Sequence, residues 1–383
     1  MQKHNEKLML KRDIEDRIFE DLVIGKVILI YGARRVGKTV LLEQLVSRYN
    51  GKVSVLNGED FTTQTLLAER NVINYRQLLA GTNLLVIDEA QGIPEIGKIL
   101  KLIVDGVKDV AVLVSGSSAF DLQNFAGEPL VGRSYVYKLF PFSQNEFLET
   151  ETRIKLIQNI EERLIYGSYP ELISIPDYQK KQSYLNEIAN SYLLKDILMI
   201  DGIKNAGKMR DLLRLVAYQA GNEVSYDELG RQLGLSRNTV EKYLDLLSKT
   251  FVIFRLPAFS SNPRKEISKS SKWYFYDNGI RNAVIGDYRP SHVRKDIGAL
   301  WESFLISERI KFRNNRRESA NFYFWRTYSG QEIDLIEEYN GLIRAFEFKW
   351  GDKKAKIPAS FQTQYPDAEF LVVNRMNFVD ILT

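Results

Sequence analysis

The chain contains no cysteine. Disulfide frameworks and thiolate metal sites are excluded on that ground alone. Histidine is almost as scarce: only His4 and His292 occur, too few for a histidine-rich zinc centre. No stretch reaches the roughly 18 unbroken apolar residues of a membrane span. The polar start, Met1-Gln-Lys-His-Asn-Glu-Lys7, lacks the apolar centre of a signal peptide. The expectation is a cytoplasmic protein with no membrane partner. Charge of one sign is scarce too, since 53 Lys and Arg stand against 49 Asp and Glu, a net charge of +4. So small an excess permits a nucleic-acid partner without demanding one. There is no low-complexity tract and no internal repeat.

What is present is ordinary globular material, with 44% of the 383 residues hydrophobic and 27% charged. That length exceeds what one core usually organises, so two or three domains are expected. Residues 8–24 place apolar side chains at helical spacing and lead into a strand at Val27–Tyr31. Further apolar runs lie at Val53–Leu56, Leu84–Ile87 and Val110–Val114, separated by helical patterns such as Val40–Tyr49 and Ile99–Val107. Strands alternating with helices predict an α/β fold on a parallel sheet with right-handed crossovers. From about Asn145 to Asn205 the pattern is helical throughout. Two short helices then meet at Gly234, with Ser236 as N-cap of the second, and two β-rich segments follow at Phe251–Leu256 and Lys272–Tyr276. That is the outline of a winged helix-turn-helix. From about Gly298 the order reads helix, three strands, helix. These readings divide the chain into residues 1–145, 146–205, 206–290 and 291–383.

The segment Gly32-Ala33-Arg34-Arg35-Val36-Gly37-Lys38-Thr39 satisfies the Walker A pattern, between a hydrophobic strand and an amphipathic helix that begins at Val40. Glycines let the backbone wrap phosphates with its N–H groups, and the helix N-terminus adds a favourable dipole. Gly32 to Val40 is therefore the expected ATP-binding stretch. Lys38 would reach the β- and γ-phosphates, and Thr39 would ligate Mg2+. Arg34 and Arg35 would face solvent or touch nucleotide. Leu84-Leu-Val-Ile-Asp88-Glu89 supplies a Walker B strand, where Asp88 would hold the metal-bound water. Glu89 would act as general base on the attacking water, or be a solvated acid of a first turn. Ser115, at the end of the third strand, is either a γ-phosphate sensor or a plain polar strand terminus. Arg133 is either an arginine finger, in cis or in a neighbouring copy of a homo-oligomer, or a surface arginine.

A second constellation appears late. Glu302 lies on a helix, Asp334 on one strand, and Glu347 and Lys349 on the next, where alternation puts both on one face. A carboxylate, a Glu-x-Lys pair and a helical glutamate form the metal-and-lysine arrangement of restriction-like nucleases. Half-exposed strands of any function show the same alternation. Arg264, Lys265, Lys269 and Lys272 make the expected wing basic, while Arg237, Asn238, Thr239 and Lys242 sit on the second helix of the turn. Those positions would contact DNA or RNA, or dock a protein.

The Gly32–Thr39 loop, Asp88-Glu89-Ala90-Gln91, Ser115-Gly-Ser-Ser118, Gly132-Arg133 before Leu-Phe-Pro-Phe-Ser, Tyr166-Gly-Ser-Tyr-Pro170-Glu and Tyr192-Leu-Leu-Lys-Asp196-Ile together resemble a prokaryotic family of AAA-like P-loop ATPases. The resemblance spans nearly the whole chain. It implies a P-loop sheet flanked by helices, a helical lid, a winged helix, and a small α/β C-terminal domain similar to restriction endonucleases. It also favours ATP over GTP. All four positions of the nuclease-like motif, Glu302, Asp334, Glu347 and Lys349, are filled.

Overall fold

In a computed structural model, residues 10–117, 128–192, 205–260, 271–352 and 354–382 are described. The chain forms two compact units, one of residues 11–140 with 249–251, the other of 1–10, 141–248 and 252–383. No described helix is long and apolar enough to cross a membrane.

The first unit is built on five parallel strands: β1 (Val27–Tyr31), β2 (Val53–Asn57), β3 (Leu84–Asp88), β4 (Ala111–Gly116) and β5 (Ser134–Lys138), in the order β2-β3-β4-β1-β5. The central strands are apolar on both faces because helices cover both, as in any parallel sheet. Leu84, Leu85, Val86 and Ile87 are all buried. The helix Ile96–Gly106 packs on the sheet through Ile96, Ile99, Leu100 and Ile103, the i, i+3, i+4, i+7 stripe. Four of the strands follow the sequence expectation to within two residues. The fifth was not expected: Ser-Tyr-Val-Tyr-Lys is half polar and half exposed, as an edge strand can be. The expected helix over residues 8–24 is regular only at Glu15–Glu20 among the described residues. Val40 lies outside the apolar stripe of its helix, 39% exposed, while Leu41, Leu42 and Leu45 are buried.

In the second unit the helices Arg153–Tyr166, Pro170–Ile173 and Tyr178–Glu187 follow the expected helical stretch. A helix-turn-helix comes next. Tyr226–Leu233 ends on Gly234 in the left-handed region (φ 65°), and Arg237–Lys249 begins after Ser236, whose Oγ accepts the Thr239 N–H at 3.2 Å. Beside it β6 (Glu223–Val224), β7 (Ile253–Pro257) and β8 (Ser271–Phe275) form an antiparallel sheet in the order β6-β8-β7. The final segment carries the long helix Ile297–Asn315 and the sheet β12-β11-β10-β9, with β9 (Asn321–Arg326), β10 (Glu332–Tyr339), β11 (Leu342–Phe348) and β12 (Glu369–Val373). β12, short and half exposed, is a strand beyond the three expected. One core of Phe142, Leu164, Phe254, Tyr274, Trp301 and Phe346 runs through the helical, helix-turn-helix and C-terminal segments, so shared burial joins stretches that composition separates.

Candidate active site

The loop after β1 owes its shape to steric exclusion. A Cβ built on Gly32 would stand 2.0 Å from the Leu139 carbonyl oxygen, so only glycine lets the loop leave the sheet there. Arg12, 4% exposed, donates to the Val36 carbonyl at 3.0 Å and to the Phe140 carbonyl at 2.6 Å, which braces the loop from behind. Arg35 and Gly37 both adopt positive φ (65° and 94°), the backbone turn that Gly37 permits just before the helix Lys38–Arg48. Lys38 folds inward, 4% exposed, and donates to the Gly32 and Ala33 carbonyls, both at 3.1 Å. Its charge is thereby held over the loop.

Asp88 closes β3 and receives two hydroxyls. Thr39 Oγ1 donates to its Oδ2 at 2.7 Å, and Ser115 Oγ donates to its Oδ1. The Glu89 N–H reaches Asp88 Oδ1 and Ser115 Oγ, each at 3.1 Å. Glu89 itself sits in the left-handed region (φ 50°, ψ 46°), an uncommon conformation for a residue with a side chain, and such conformations cluster at functional sites. The strand register brings Ser115, buried on β4, beside the end of β3. Thr39, Asp88, Glu89 and Ser115, which come from three elements, therefore meet. The Thr39 hydroxyl beside the Asp88 carboxylate is a pair of hard oxygen donors, the chemistry that Mg2+ selects.

Arg133 stands apart from them. It immediately precedes β5, its carbonyl accepts the Val27 N–H at 2.8 Å, and its guanidinium pairs with Asp105 at 2.7 Å. That is the amino-terminal edge of parallel strands whose carboxyl ends carry Lys38 and Asp88, about 16 Å away at the rise of a strand. Within one chain the guanidinium is held at Asp105, at the opposite end of the strands from Asp88. Arg34 is half-buried and Arg35 exposed. Two residues to which the sequence reading gave no role also belong to the site: Arg12, and Gln91 at the end of the Asp88–Gln91 element. Gln91 Nε2 donates to Glu89 Oε2 at 2.5 Å, and its Oε1 accepts the Ser117 N–H at 3.3 Å. Spacing gave some hint of Gln91, two residues beyond the acid, but none of Arg12.

Among the late carboxylates, Asp334 follows Ile333 where the β9–β10 register shifts, a local irregularity that re-aims side chains. Its Oδ2 accepts the Phe348 N–H at 2.7 Å. Lys349 donates to Glu347, and Lys272 donates to Glu302 at 3.3 Å and to Glu332 at 2.5 Å. The Tyr274 hydroxyl also donates to Glu302. Burial first, then the charges of Glu302 and Glu347, hold the Asp334 carboxyl well above the usual carboxylate range. Burial likewise raises Glu302, against the pull of Lys272. For Lys272 burial opposes the charge, but Glu302 and Glu332 outweigh it and keep the ammonium above its ordinary value. Asp334 and Lys349 thus each lie within electrostatic reach of Glu302 and Glu347. Lys272 corrects the basic-wing expectation: it is 2% exposed and sits among acids. As the side chains stand, no three carboxylates among the described residues form a metal-holding group, and lysines pair with Glu302, Glu332 and Glu347.

Arg237, Asn238 and Lys242 are exposed on the helix whose Val240, Tyr243, Leu244 and Leu247 are buried. Arg237 makes a loose pair with Asp227 at 3.4 Å. The expected wing positions Arg264, Lys265 and Lys269 lie outside the described residues, as does Ser118.

Comparison with known proteins adds a family match to this geometry. Residues 25–148 match a family model described as AAA domain, and 157–291 and 297–381 match two described as domains of unknown function, DUF8612 and DUF4143. An uncharacterized protein of Mycobacterium tuberculosis is 28% identical over 350 residues, covering 89% of this chain and 74% of its own length. One from Methanocaldococcus jannaschii is 26% identical over 371 residues, covering 92% and 80%. Among solved structures, the Walker-type ATPase of Pyrococcus abyssi has a TM-score of 0.47 at 16% identity, covering 74% of this chain and 98% of that one. The Thermotoga maritima RuvB Holliday junction branch migration motor has a TM-score of 0.34 at 16% identity, covering 65% and 90%. The AAA-domain match coincides with the five-stranded unit, and both support an AAA-like P-loop ATPase core.

Proposed function

We propose that the chain binds and hydrolyses ATP at the Lys38–Asp88 site and uses the change to drive its C-terminal half, which acts on nucleic acid. The observation that carries the reading is Asp88 receiving the Thr39 hydroxyl at 2.7 Å and the Ser115 hydroxyl on its other oxygen. Glycines and helix N–H groups would cradle the phosphates, and Lys38 would turn from the Gly32 and Ala33 carbonyls to the β- and γ-phosphates. Thr39 and Asp88 are the residues to hold Mg2+, which when bound neutralises developing phosphate charge. Glu89 would take a proton from the attacking water as the bond from the γ-phosphorus to the bridging oxygen breaks. Ser115 would report the γ-phosphate to β4. An arginine-finger role for Arg133 requires a second copy of the chain, and a homo-oligomer would supply one.

In the C-terminal half, residues 206–290 read as a winged helix-turn-helix, and the exposed Arg237, Asn238 and Lys242 favour a phosphate backbone as partner, together with Arg264, Lys265 and Lys269. Residues 291–383 read as a restriction-endonuclease-like domain. A second reading, an ATP-regulated nuclease, draws on the convergence of Glu302, Asp334, Glu347 and Lys349. The primary reading is tested with Lys38→Ala and Glu89→Gln. Lys38→Ala is expected to lose ATP binding. Glu89→Gln is expected to keep binding, measured with a fluorescent ATP analogue, and to lose at least about a hundredfold in turnover, as general-base catalysis is worth. Unchanged phosphate release by Glu89→Gln would remove Glu89 from the role of base.

A further inference from the structure

Gln91 is held at both ends of its side-chain amide. Its Nε2 donates to Glu89 Oε2 at 2.5 Å, and its Oε1 accepts the Ser117 N–H at 3.3 Å. An amide has one donor end and one acceptor end, so the two bonds together fix which way it faces. The backbone beneath it is equally constrained. Gln91 lies in the short turn Ala90–Gly92, and a Cβ on Gly92 would stand 2.3 Å from the Gly58 carbonyl oxygen. Gly58 is itself tied in place, its N–H donating to the Asp88 carbonyl at 2.7 Å and its carbonyl accepting Gln64 Nε2 at 2.8 Å. The turn has little room to shift.

We propose that Gln91 is the positioning residue of this ATPase centre: it fixes the Glu89 carboxylate and ties it to the strand end that carries Ser115 and Ser117. The inference rests on the reading of Glu89 as general base. One carboxylate oxygen is engaged by Gln91, which leaves Oε1 to meet the water. The other end of the same amide grips the backbone two residues beyond Ser115. A γ-phosphate that draws on the Ser115 hydroxyl therefore moves the strand end and the base together. Gln91 reaches no phosphate in this scheme and acts only through Glu89.

The test compares Gln91→Ala, Gln91→His, Glu89→Gln and the double variant Glu89→Gln/Gln91→Ala in the full chain. Steady-state ATP turnover and binding of a fluorescent ATP analogue are measured for each. Gln91→Ala is expected to lower kcat by about tenfold or more, as misplacing a reacting group does, with KM and nucleotide affinity within about twofold of the parent. A neutral imidazole also offers one N–H and one lone pair, so Gln91→His is expected to recover a substantial part of the loss. In the Glu89→Gln background, Gln91→Ala is expected to change turnover no further, the signature of two residues acting as a unit. Normal kcat for Gln91→Ala beside an inactive Glu89→Gln overturns the positioning role and leaves the base intact. A raised KM with unchanged kcat overturns it too, because the residue would then serve binding. Full turnover by Glu89→Gln overturns the reading of the base, and the role of Gln91 falls with it.

Discussion

A glycine can be indispensable for what it keeps out. At Gly32 the Leu139 carbonyl would lie 2.0 Å from a Cβ, and that oxygen belongs to backbone that cannot rotate away as a side chain can. Gly32→Ala is expected to cost about 1–3 kcal/mol of stability, the range of overpacking, and to reduce ATP affinity at least tenfold by shifting the loop. Urea unfolding and nucleotide titration would measure both. Gly298→Ala, where nothing lies within 4 Å in the first turn of a helix, is the control and should cost no stability and leave ATP affinity unchanged. The motif made Gly32, Lys38 and Thr39 legible because the chemistry of phosphate binding is local in sequence. Lys272 was misread for the opposite reason. A lysine near a run of basic residues resembles surface, and only the fold reveals Glu302 and Glu332 beside it, 30 and 60 positions later.

At the scale of elements, the long helix Ile297–Asn315 is joined to β10 by charge as well as by apolar packing. Glu337, 1% exposed, receives Arg309 at 2.7 Å and Arg313 through a second pair, and the two guanidinium groups lie over the rings of Phe346 and Tyr339 respectively. Burial lowers the Arg309 guanidinium from its usual value and the Glu337 charge restores part of it. Removing one member of a buried ionic group leaves the others uncompensated. Glu337→Gln is therefore expected to destabilise the unit by about 3–5 kcal/mol, read from the midpoint of urea unfolding; a change under about 1 kcal/mol would mean that water reaches the guanidinium groups. The helix and strand were both expected from periodicity. Their pairing was not, because an arginine one turn from another marks a solvated helix face as readily as a buried one.

For the whole molecule, the proposed function couples ATP turnover in the first unit to the second. Lys272 on Glu302 and Glu332, and Lys349 on Glu347, occupy three of the four carboxylates of the acidic cluster, and burial above all holds the fourth, Asp334, well above the usual carboxylate range. The chain with Mg2+ or Mn2+ alone is therefore expected not to cut labelled single- or double-stranded DNA or RNA. Cutting that requires ATP and vanishes in Asp334→Ala/Lys349→Ala would establish the nuclease reading. Cutting without ATP would mean that the lysines yield to metal unaided. No cutting in any condition, with ATP turnover intact, would leave a unit that binds nucleic acid or protein.

The sequence by itself determined the parallel sheet, the Walker loop and the acid pair that follows β3, because each is written in contiguous residues whose period or spacing has one physical use. The edge strands β5 and β12 escaped it, since half-exposed strands lose the apolar signature that marks the central ones. Only tertiary structure decided that Arg133 stands at the far edge of the sheet from Lys38, that Arg12 braces the loop through two carbonyls, and that Lys272 lies among carboxylates. Each of those facts depends on pairs more than 20 residues apart. Their meeting is set by strand order and packing, which local propensity does not encode.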